Sequence, residues 1–440
     1  MLQTKGCESP VPFSTTYVAW GLAQDVTLNE AGDLLILARP GFPAVRMDAA
    51  GPQAALARRL ATGLAATMAL HAALDMLAGL GLVTPRLMVD GAVAAELLVN
   101  APAPFTFAAP PRIAPPLHPM LTLRQADDGL AVAIPGRSGQ LRLRTPDMIA
   151  AVGEMVCRPG MPIAEQSASI RLLARMLQAI GAFDDGEREA GWDPVDLEFH
   201  FRTRRGDLAT GFGPVAVPVT DSPPPCPALG APIALPRPDL DRLMRDDVPL
   251  AAAMEQRSAN APTRETALQF GQFSDLLYRS MRARPGARGH GRRPYPSGGR
   301  CYELDLYVIV AAVEQVPPGM YRYDPDGHAL QPVLSGTMNA RDALVGEARA
   351  TMRPPAAPAA IALLAADFGR VQRRYRGMTY ALVLKHVGVV MQTLALAGAA
   401  CGLVIRPLGG GQARNFALAT GLDPLAMGSV GEIAVFAAAT

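Results

Sequence analysis

The 440-residue chain has little charge, since Asp, Glu, Lys and Arg make up only 18% of it, against about 25% in an average globular domain. Its net charge of +2 is small, so no basic field favours bulk nucleic-acid binding. Hydrophobic residues make up 50% of the chain, which excludes a disordered or fibrous protein. A chain of this length is expected to contain about three domains.

Cysteine is also scarce, and the usual cofactor motifs are missing. The five cysteines are scattered and form no CxxC pair, and the six histidines are isolated. These spacings exclude a disulfide framework and predict no metal site. The sequence has no GxGxxG after a strand, no P-loop and no GxSxG, so it supports no Rossmann nicotinamide site, nucleotide-triphosphate site or serine-hydrolase elbow.

The N-terminal residues lack the apolar run of a signal peptide, so a cytoplasmic location is expected. Residues 387–405 are almost entirely apolar and long enough to span a bilayer. Three glycines interrupt this stretch and no aromatic belt flanks it. We therefore predict a buried helix in a core or a subunit interface rather than a membrane span.

Proline clusters mark the domain boundaries. Residues 101–119 and 206–240 are rich in proline and are predicted to be linkers. They leave three segments, residues 1–100, 120–205 and 241–440.

The first two segments share one plan of two strands followed by two helices. In the first, the predicted elements are strands at 26–29 and 33–38 and helices at 51–62 and 66–80. In the second, they are strands at 121–124 and 130–134 and helices at 145–157 and 163–180. The repeat predicts two winged-helix-like modules. Their helices carry no basic stripe, so peptide or protein binding is favoured over DNA binding.

The third segment is predicted to be α+β. Its apolar and turn patterns give a buried strand at 304–311, a hairpin around the turn at 324–327, a strand at 361–365, a helix at 380–400 and a final strand at 433–437.

Three features of this segment suit a flat phosphorylated ligand. Arg257 and Ser258 combine a guanidinium with a hydroxyl, which suits a phosphate. Residues 294–300 (PYPSGGR) and 408–414 (LGGGQAR) contain glycines that allow a ligand to approach the backbone closely. Each feature alone is typical of a plain turn, but together they indicate a planar phosphorylated cofactor.

Longer motifs give the chain a family resemblance. The stretches RRPYPSGGRCYELDLYVIV, PPGMYRYDPDGHAL, RRYRGMTYALVLKHVGVVMQTLALAGAACGL and PLGGG resemble the SagB-type, McbC-like branch of the flavin-dependent nitroreductase superfamily. That branch includes the azoline dehydrogenases of thiazole- and oxazole-containing peptide biosynthesis. The resemblance is specific over residues 190–440 and looser before them.

The resemblance implies a dimeric α+β fold that binds FMN at the subunit interface, with a central, mainly antiparallel sheet flanked by helices. The cofactor-binding residues that it implies are Arg257, Ser258, Asn260, Pro296, Ser297, Gly298, Gly299, Gln392, Leu408, Gly409, Gly410 and Arg414. Asn260 stands where the family usually has a second basic residue.

The catalytic residues that the resemblance implies are less regular. Arg374 and Tyr375 stand where azoline oxidases often carry a Lys-Tyr pair, and Met378 replaces a usual arginine. A guanidinium is a poor base, so Tyr375 is expected to carry more of the proton transfer. Lys385 and His386 are alternative acid–base residues, although either could simply satisfy its own helix.

The leading hypothesis is an FMN-dependent dehydrogenase that oxidises thiazoline or oxazoline rings of a ribosomal peptide. Hydride would leave Cβ for flavin N5 while a base removes the Cα proton, and oxygen would reoxidise the flavin. The expected partners are a second copy of the chain, a peptide substrate with a leader, and a YcaO-type cyclodehydratase.

Two other hypotheses stay open. One is an NAD(P)H-dependent, nitroreductase-like oxidoreductase acting on a small molecule, which the missing lysine favours. The other is a catalytically weakened scaffold for a cyclodehydratase complex, which Asn260, Arg374 and Met378 favour.

Overall fold

A computed structural model describes residues 15–39, 44–62, 64–65, 71–99, 105–137, 139–184, 192–205, 213–215, 219, 229–284, 292–333, 338–352 and 356–438. The chain divides into two units, Met1–Gly211 and Phe212–Thr440. Each unit has a seven-stranded sheet of its own.

The N-terminal unit contains ten strands and five helices among its described residues. The strands are β1 (Thr16–Leu22), β2 (Thr27–Ala31), β3 (Leu34–Ala38), β4 (Val45–Asp48), β5 (Leu64–Ala65), β6 (Val83–Val89), β7 (Ala92–Val99), β8 (Thr122–Ala126), β9 (Gly129–Ala133) and β10 (Gly139–Leu143). The helices are α1 (Pro52–Thr62), α2 (His71–Gly79), α3 (Pro146–Cys157), α4 (Ala168–Ala179) and α5 (Pro194–Arg205).

Both predicted hairpins are confirmed as β2–β3 and β8–β9. The predicted helices over 51–62, 145–157 and 163–180 are confirmed as α1, α3 and α4, the last preceded by a short 3₁₀ segment (Ile163–Glu165). Helix α2 covers the later part of the predicted helix over 66–80, and residues 66–70 lie outside the described residues.

The two N-terminal segments are joined in one sheet with the order β5-β1-β6-β7-β10-β9-β8. Strand β7 of the first segment pairs with β10 of the second, where Leu97 lies opposite Leu141. One hydrophobic core contains residues of both segments, among them Trp20 of the first and Leu177 of the second. The segments predicted as separate modules thus share sheet and core, and their description as winged helices stays a prediction.

The first proline-rich segment packs against this unit over its described part. The Phe107 ring is buried, with the Arg175 guanidinium 4.1 Å from its centroid. Ile113 and Leu117 form isolated bridges with Pro162 and Phe183. Residues 105–119 therefore lie along the surface of the unit instead of forming a free linker, while residues 101–104 lie outside the described residues.

The C-terminal unit contains seven strands and seven helices among its described residues. The strands are β11 (Ile233–Ala234), β12 (Leu304–Val310), β13 (Gly319–Asp324), β14 (Ala329–Pro332), β15 (Ala360–Asp367), β16 (Leu403–Leu408) and β17 (Met427–Ala437). The helices are α6 (Leu240–Asp246), α7 (Leu250–Gln256), α8 (Phe270–Met281), α9 (Met338–Met352), α10 (Phe368–Gln372), α11 (Thr379–Ala400) and α12 (Ala413–Thr420).

The C-terminal sheet has the order β11-β14-β13-β12-β15-β17-β16, and all of its paired strands are antiparallel. This confirms the predicted α+β class and the mainly antiparallel sheet. Strand β11 lies within the second predicted linker, so the end of residues 206–240 belongs to the sheet. Most of that segment before residue 229 lies outside the described residues.

Helices cover both faces of this sheet, which explains why β12 is apolar at every position except Asp305, whose carboxylate pairs with Arg322. Leu306 and Val308 point into a core that includes Phe273 of α8 and Val390 of α11. The alternate residues of β12 point into a second core with Leu344 of α9 and residues of α12. A strand buried on both faces must be apolar at successive positions.

Helix α11 covers the first of these faces with one side only. Its buried residues include Val383, Val387, Val390 and Leu394, spaced at the three- and four-residue intervals of one helix face, while Leu384 is exposed. Among the described residues it is the one helix long and apolar enough to cross a membrane by length and composition, and 44% of its apolar window is buried. The helix predicted to be buried on all sides is therefore buried on one face only within a single chain.

A buried polar cluster fastens the second proline-rich segment to this unit. The ring nitrogens of His328 lie 2.9 Å from Ser274 Oγ and 2.8 Å from the Tyr323 hydroxyl. Ser274 Oγ donates a hydrogen bond of 2.5 Å to the Pro236 carbonyl. Burial lowers the pKa of His328 to about 4, because the low-dielectric surroundings disfavour the charged imidazolium.

This cluster predicts a pH dependence of stability. Because the pKa of His328 is about 4 in the folded chain and 6.5 ordinarily, the unfolded chain takes up the proton first as pH falls from 6.5 towards 4. We expect His328→Gln to remove roughly 3 kcal/mol of the acid-induced loss of unfolding free energy over that window. Urea unfolding at pH 7 and pH 4.5 measures this, with the exposed His200→Gln as the control. Parallel losses in wild type and His328→Gln would contradict it.

Candidate functional site

The loop before β12, which we call the glycine loop (residues 296–300), has an unusual backbone. Gly299 has φ +60° and Arg300 has φ +56°, and such left-handed angles disfavour a residue with a Cβ. The Arg300 N–H donates to the Ser297 carbonyl at 3.0 Å, which closes the turn. A left-handed arginine beside a left-handed glycine indicates a conformation imposed by the surroundings.

A chain of hydrogen bonds, buried between His386 and Glu303 and partly buried elsewhere, holds the loop in that conformation. The Gly298 N–H donates to His386 Nε2 at 2.8 Å, and His386 Nδ1 lies 2.6 Å from Glu303 Oε1. Because Nε2 accepts a hydrogen bond, the imidazole proton lies on Nδ1 and is donated to Glu303. Ser297 Oγ donates to the other carboxylate oxygen at 3.2 Å and accepts the Tyr302 N–H at 3.0 Å.

Each member of this chain is held by regular structure. Glu303 is fully buried, directly precedes β12, and accepts the Asp367 N–H on its carbonyl at 2.9 Å. His386 lies on the buried face of α11, one turn from Val383. The glycine loop is therefore attached to both the central sheet and the longest described helix.

Arg374 and Tyr375 reach the glycine loop from the turn after α10. A Cβ built on Gly299 would lie 2.9 Å from the Tyr375 hydroxyl oxygen and 3.0 Å from Arg374 Cδ. A Cβ on Gly298 would lie 3.3 Å from His386 Nε2. Both glycines are thus closely approached by these side chains, and the approaches are possible only because neither glycine has a Cβ.

The structure brings half a dozen predicted site residues together around this loop: Ser297, Gly298, Gly299, Arg374, Tyr375 and His386. Pro296 begins the loop and is exposed. Lys385 and Gln392 are exposed on α11, and no hydrogen bond or ion pair of the Lys385 amino group is found within the described part of the chain.

The other predicted cofactor residues lie on two further segments. Arg257, Ser258 and Asn260 follow α7, where Ser258 Oγ accepts the Asn260 N–H at 3.1 Å. Leu408 is the last residue of β16, Gly409 and Gly410 follow it, and Arg414 is exposed in the first turn of α12. Among the described residues, no hydrogen bond or ion pair links these two segments to the glycine loop, so their joint site stays a prediction.

Two buried carboxyl groups beside these loops were missed by the sequence reasoning. One is Glu303, and the other is Glu432, whose carboxylate a Cβ on Gly411 would overlap. Burial raises the pKa of Glu432 to about 7, and the charge of Glu347 adds to this shift. The available signal was an acidic residue beside or within an apolar strand. Glu303 precedes LDLYVIV, which itself contains Asp305, and Glu432 lies in GEIAVFA.

A protein-family match covers the residues of this site. The model described as the Nitroreductase family matches residues 256–432, which include the glycine loop, Arg374, Tyr375 and most of the C-terminal sheet. Residues 256–432 form a nitroreductase-family domain.

The individual relatives of this domain are distant. A protein of Methanocaldococcus jannaschii named as a nitroreductase is 26% identical over 166 residues, covering 38% of this chain and 78% of the relative. Among solved structures, the Escherichia coli microcin synthetase McbBCD complex with truncated pro-microcin B17 bound has a TM-score of 0.35, with 20% identity over 51% of this chain and 84% of that chain.

A Desulfovibrio desulfuricans nitroreductase-like structure in complex with FMN has a TM-score of 0.29 at 18% identity, over 44% of this chain and 89% of that chain.

The hydrogen-bond chain predicts a strong coupling between Glu303 and His386. His386→Phe leaves a fully buried carboxylate without its main partner, which we expect to cost about 3 kcal/mol of unfolding free energy. Glu303→Gln keeps a hydrogen-bonding side chain and is expected to cost about 1 kcal/mol. Urea unfolding of both single variants and the double variant measures the coupling, with Lys385→Gln as a control on the same helix. Purely additive losses would show that the two side chains act independently.

Proposed function

We propose that the nitroreductase-family domain is an FMN-dependent dehydrogenase that oxidises thiazoline or oxazoline rings to thiazoles or oxazoles. The observation that carries this proposal is the crowded Gly298–Gly299 backbone, held by His386 on one side and facing the Tyr375 hydroxyl on the other. It supplies a flat surface for a ring system and a proton-transfer group at the same place.

The residues of the site fit FMN. At Gly298 and Gly299 a Cβ would meet His386, Tyr375 and Arg374, so this bare backbone can form a cradle for a planar ring only because both residues are glycines. The glycine loop would lie along the isoalloxazine, with Gln392, Leu408, Gly409 and Gly410 as further contacts.

The phosphate of FMN would be held by Arg257, Ser258 and Arg414. Asn260 would contribute no charge to this phosphate site.

The bound flavin would supply a hydride acceptor for the ring Cβ. Tyr375, as its phenolate, would take the Cα proton and become the phenol, because its oxygen is the one that lies against Gly299. Arg374 hardly deprotonates, so it would provide positive charge beside this hydroxyl instead of a base. Both ring nitrogens of His386 are engaged, so His386 would position the glycine loop. Lys385 remains the second acid–base candidate.

The proposal extends to partners. A second copy of the chain would cover the exposed side of α11, where Tyr380 and Leu384 are 48% and 39% exposed. The N-terminal unit would bind a peptide leader or a YcaO-type cyclodehydratase in the cytoplasm.

The fit to FMN predicts the effect of one added methyl group. Gly299→Ala places a Cβ at a left-handed φ and against the Tyr375 hydroxyl, so we expect FMN affinity to fall about tenfold or more. Gly346→Ala is the matched control, because that glycine lies in α9 with nothing within 4 Å of a Cβ. Fluorescence titration of the flavin-free proteins with FMN measures both. Equal affinities in the two variants would contradict the cradle, and a wild type that takes up no FMN would contradict the proposed function.

The role of Tyr375 predicts a specific loss of turnover. With a thiazoline peptide prepared by a YcaO-type cyclodehydratase, Tyr375→Phe should lower kcat about 100-fold with little change in KM, since proton transfer contributes that much to the rate. Mass spectrometry of the loss of two hydrogens measures the reaction, and Tyr380→Phe on α11 is the control. Full activity of Tyr375→Phe would assign the proton transfer to another residue.

A second function has a specific observation in its favour. Arg374 occupies the place of the usual lysine, and the Methanocaldococcus jannaschii relative is named as a nitroreductase. An NAD(P)H-dependent reductase of a small molecule would consume NAD(P)H steadily without any peptide, whereas the azoline dehydrogenase would not.

A further inference from the structure

Two arginines stand beside Gly299, and we call them the arginine pair (Arg300 and Arg374). Arg300 directly follows Gly299 and is exposed. Arg374 is also exposed, and its Cδ lies 3.0 Å from the position of a Cβ on Gly299. The positive charge of Arg374 also acts on the neighbouring Cys301 thiol, where burial raises the pKa and Arg374 opposes that shift.

The carboxylates next to the arginine pair already have other partners. Glu303 accepts hydrogen bonds from His386 and Ser297. Asp367 forms an ion pair of 3.0 Å with Arg370, and Arg370 also donates to the Tyr302 carbonyl at 2.9 Å. Throughout the part of the chain that the structure describes, no hydrogen bond or ion pair is found for the guanidinium of Arg300 or Arg374. Two exposed arginines that have no anionic partner among the described residues thus lie next to Gly299.

The backbone of Arg300 is held in a disfavoured left-handed conformation. An arginine at φ +56° is disfavoured, yet the hydrogen-bond chain through His386 and Ser297 holds the loop in that form. Guanidinium groups bind carboxylates through two parallel N–H donors, which a lysine cannot do. Arg374 is therefore suited to bind an anion and not to act as a base.

We propose that the arginine pair binds a carboxylate of the substrate, carried by the chain terminus or by an acidic side chain close to the oxidised ring. This inference rests on the proposed function for the identity of the ring, but anion binding by Arg300 and Arg374 does not depend on that reaction. The substrate class becomes azoline peptides with a carboxylate next to the heterocycle.

The binding test uses benzoate and benzamide as matched probes on the full-length protein, by isothermal titration calorimetry with and without FMN. We expect benzoate to bind more tightly than benzamide. Its dissociation constant should rise about tenfold in Arg300→Gln and in Arg374→Gln, and about 100-fold in the double variant. Arg158→Gln removes an exposed arginine of the N-terminal unit and should change nothing.

Equal binding of the two probes by wild type would overturn the inference, and so would an equal loss in Arg158→Gln. Variants that lose FMN or NADPH affinity but keep benzoate affinity would also overturn it, because the arginines would then serve a phosphate. Failure of the proposed function is distinguishable, since the calorimetry on flavin-free protein reports anion binding without any turnover.

A second set of probes separates the two sources of the carboxylate. Thiazoline peptides with a terminal carboxylate or a terminal amide, and with Asp or Asn next to the ring, are compared as substrates. We expect KM to rise about tenfold for whichever neutral form lacks the recognised group, and the arginine variants to remove that difference. Equal KM values for all four peptides would overturn the inference.

Discussion

The C-terminal unit depends on one buried interaction, the hydrogen bond between the carboxylate of Glu303 and the imidazole of His386. Glu303 is fully buried, and a buried carboxylate is tolerated only when charge-assisted hydrogen bonds compensate its lost hydration. His386 and Ser297 provide them, and His386 then has one acceptor left for the Gly298 N–H. The same interaction that satisfies the core thus determines the shape of the glycine loop.

The hydrogen bonds of His386 explain which side chains remain available at the glycine loop. Because His386 is occupied on both ring nitrogens, the groups left to act at Gly299 are the Tyr375 hydroxyl and the arginine pair. The sheet and α11 hold the loop, whereas Arg374 and Tyr375 come from the turn after α10. Rigid elements therefore position the ring-binding surface, and a turn provides the side chains that would select and deprotonate the substrate.

The sequence predicts those parts of the fold whose signals are local. Both N-terminal hairpins, β12 and α11 follow from alternation, turn residues and apolar runs. The pairing of β7 with β10 joins residues far apart in the chain, and no local pattern specifies such a partner. Glu303 was missed for a similar reason, since its role depends on His386, 83 residues away. The glycine motifs predicted where the loop lies, but not what holds it.

The proposed reaction removes two hydrogens from an azoline ring and passes the electrons to a flavin. Mixing the FMN-loaded protein with a thiazoline peptide in the absence of oxygen tests it most directly, with the visible flavin absorbance followed in time. We expect the band to bleach with a stoichiometric gain of thiazole, and oxygen to restore it. A band that stays unchanged with the peptide but bleaches with NAD(P)H would rule out this reaction.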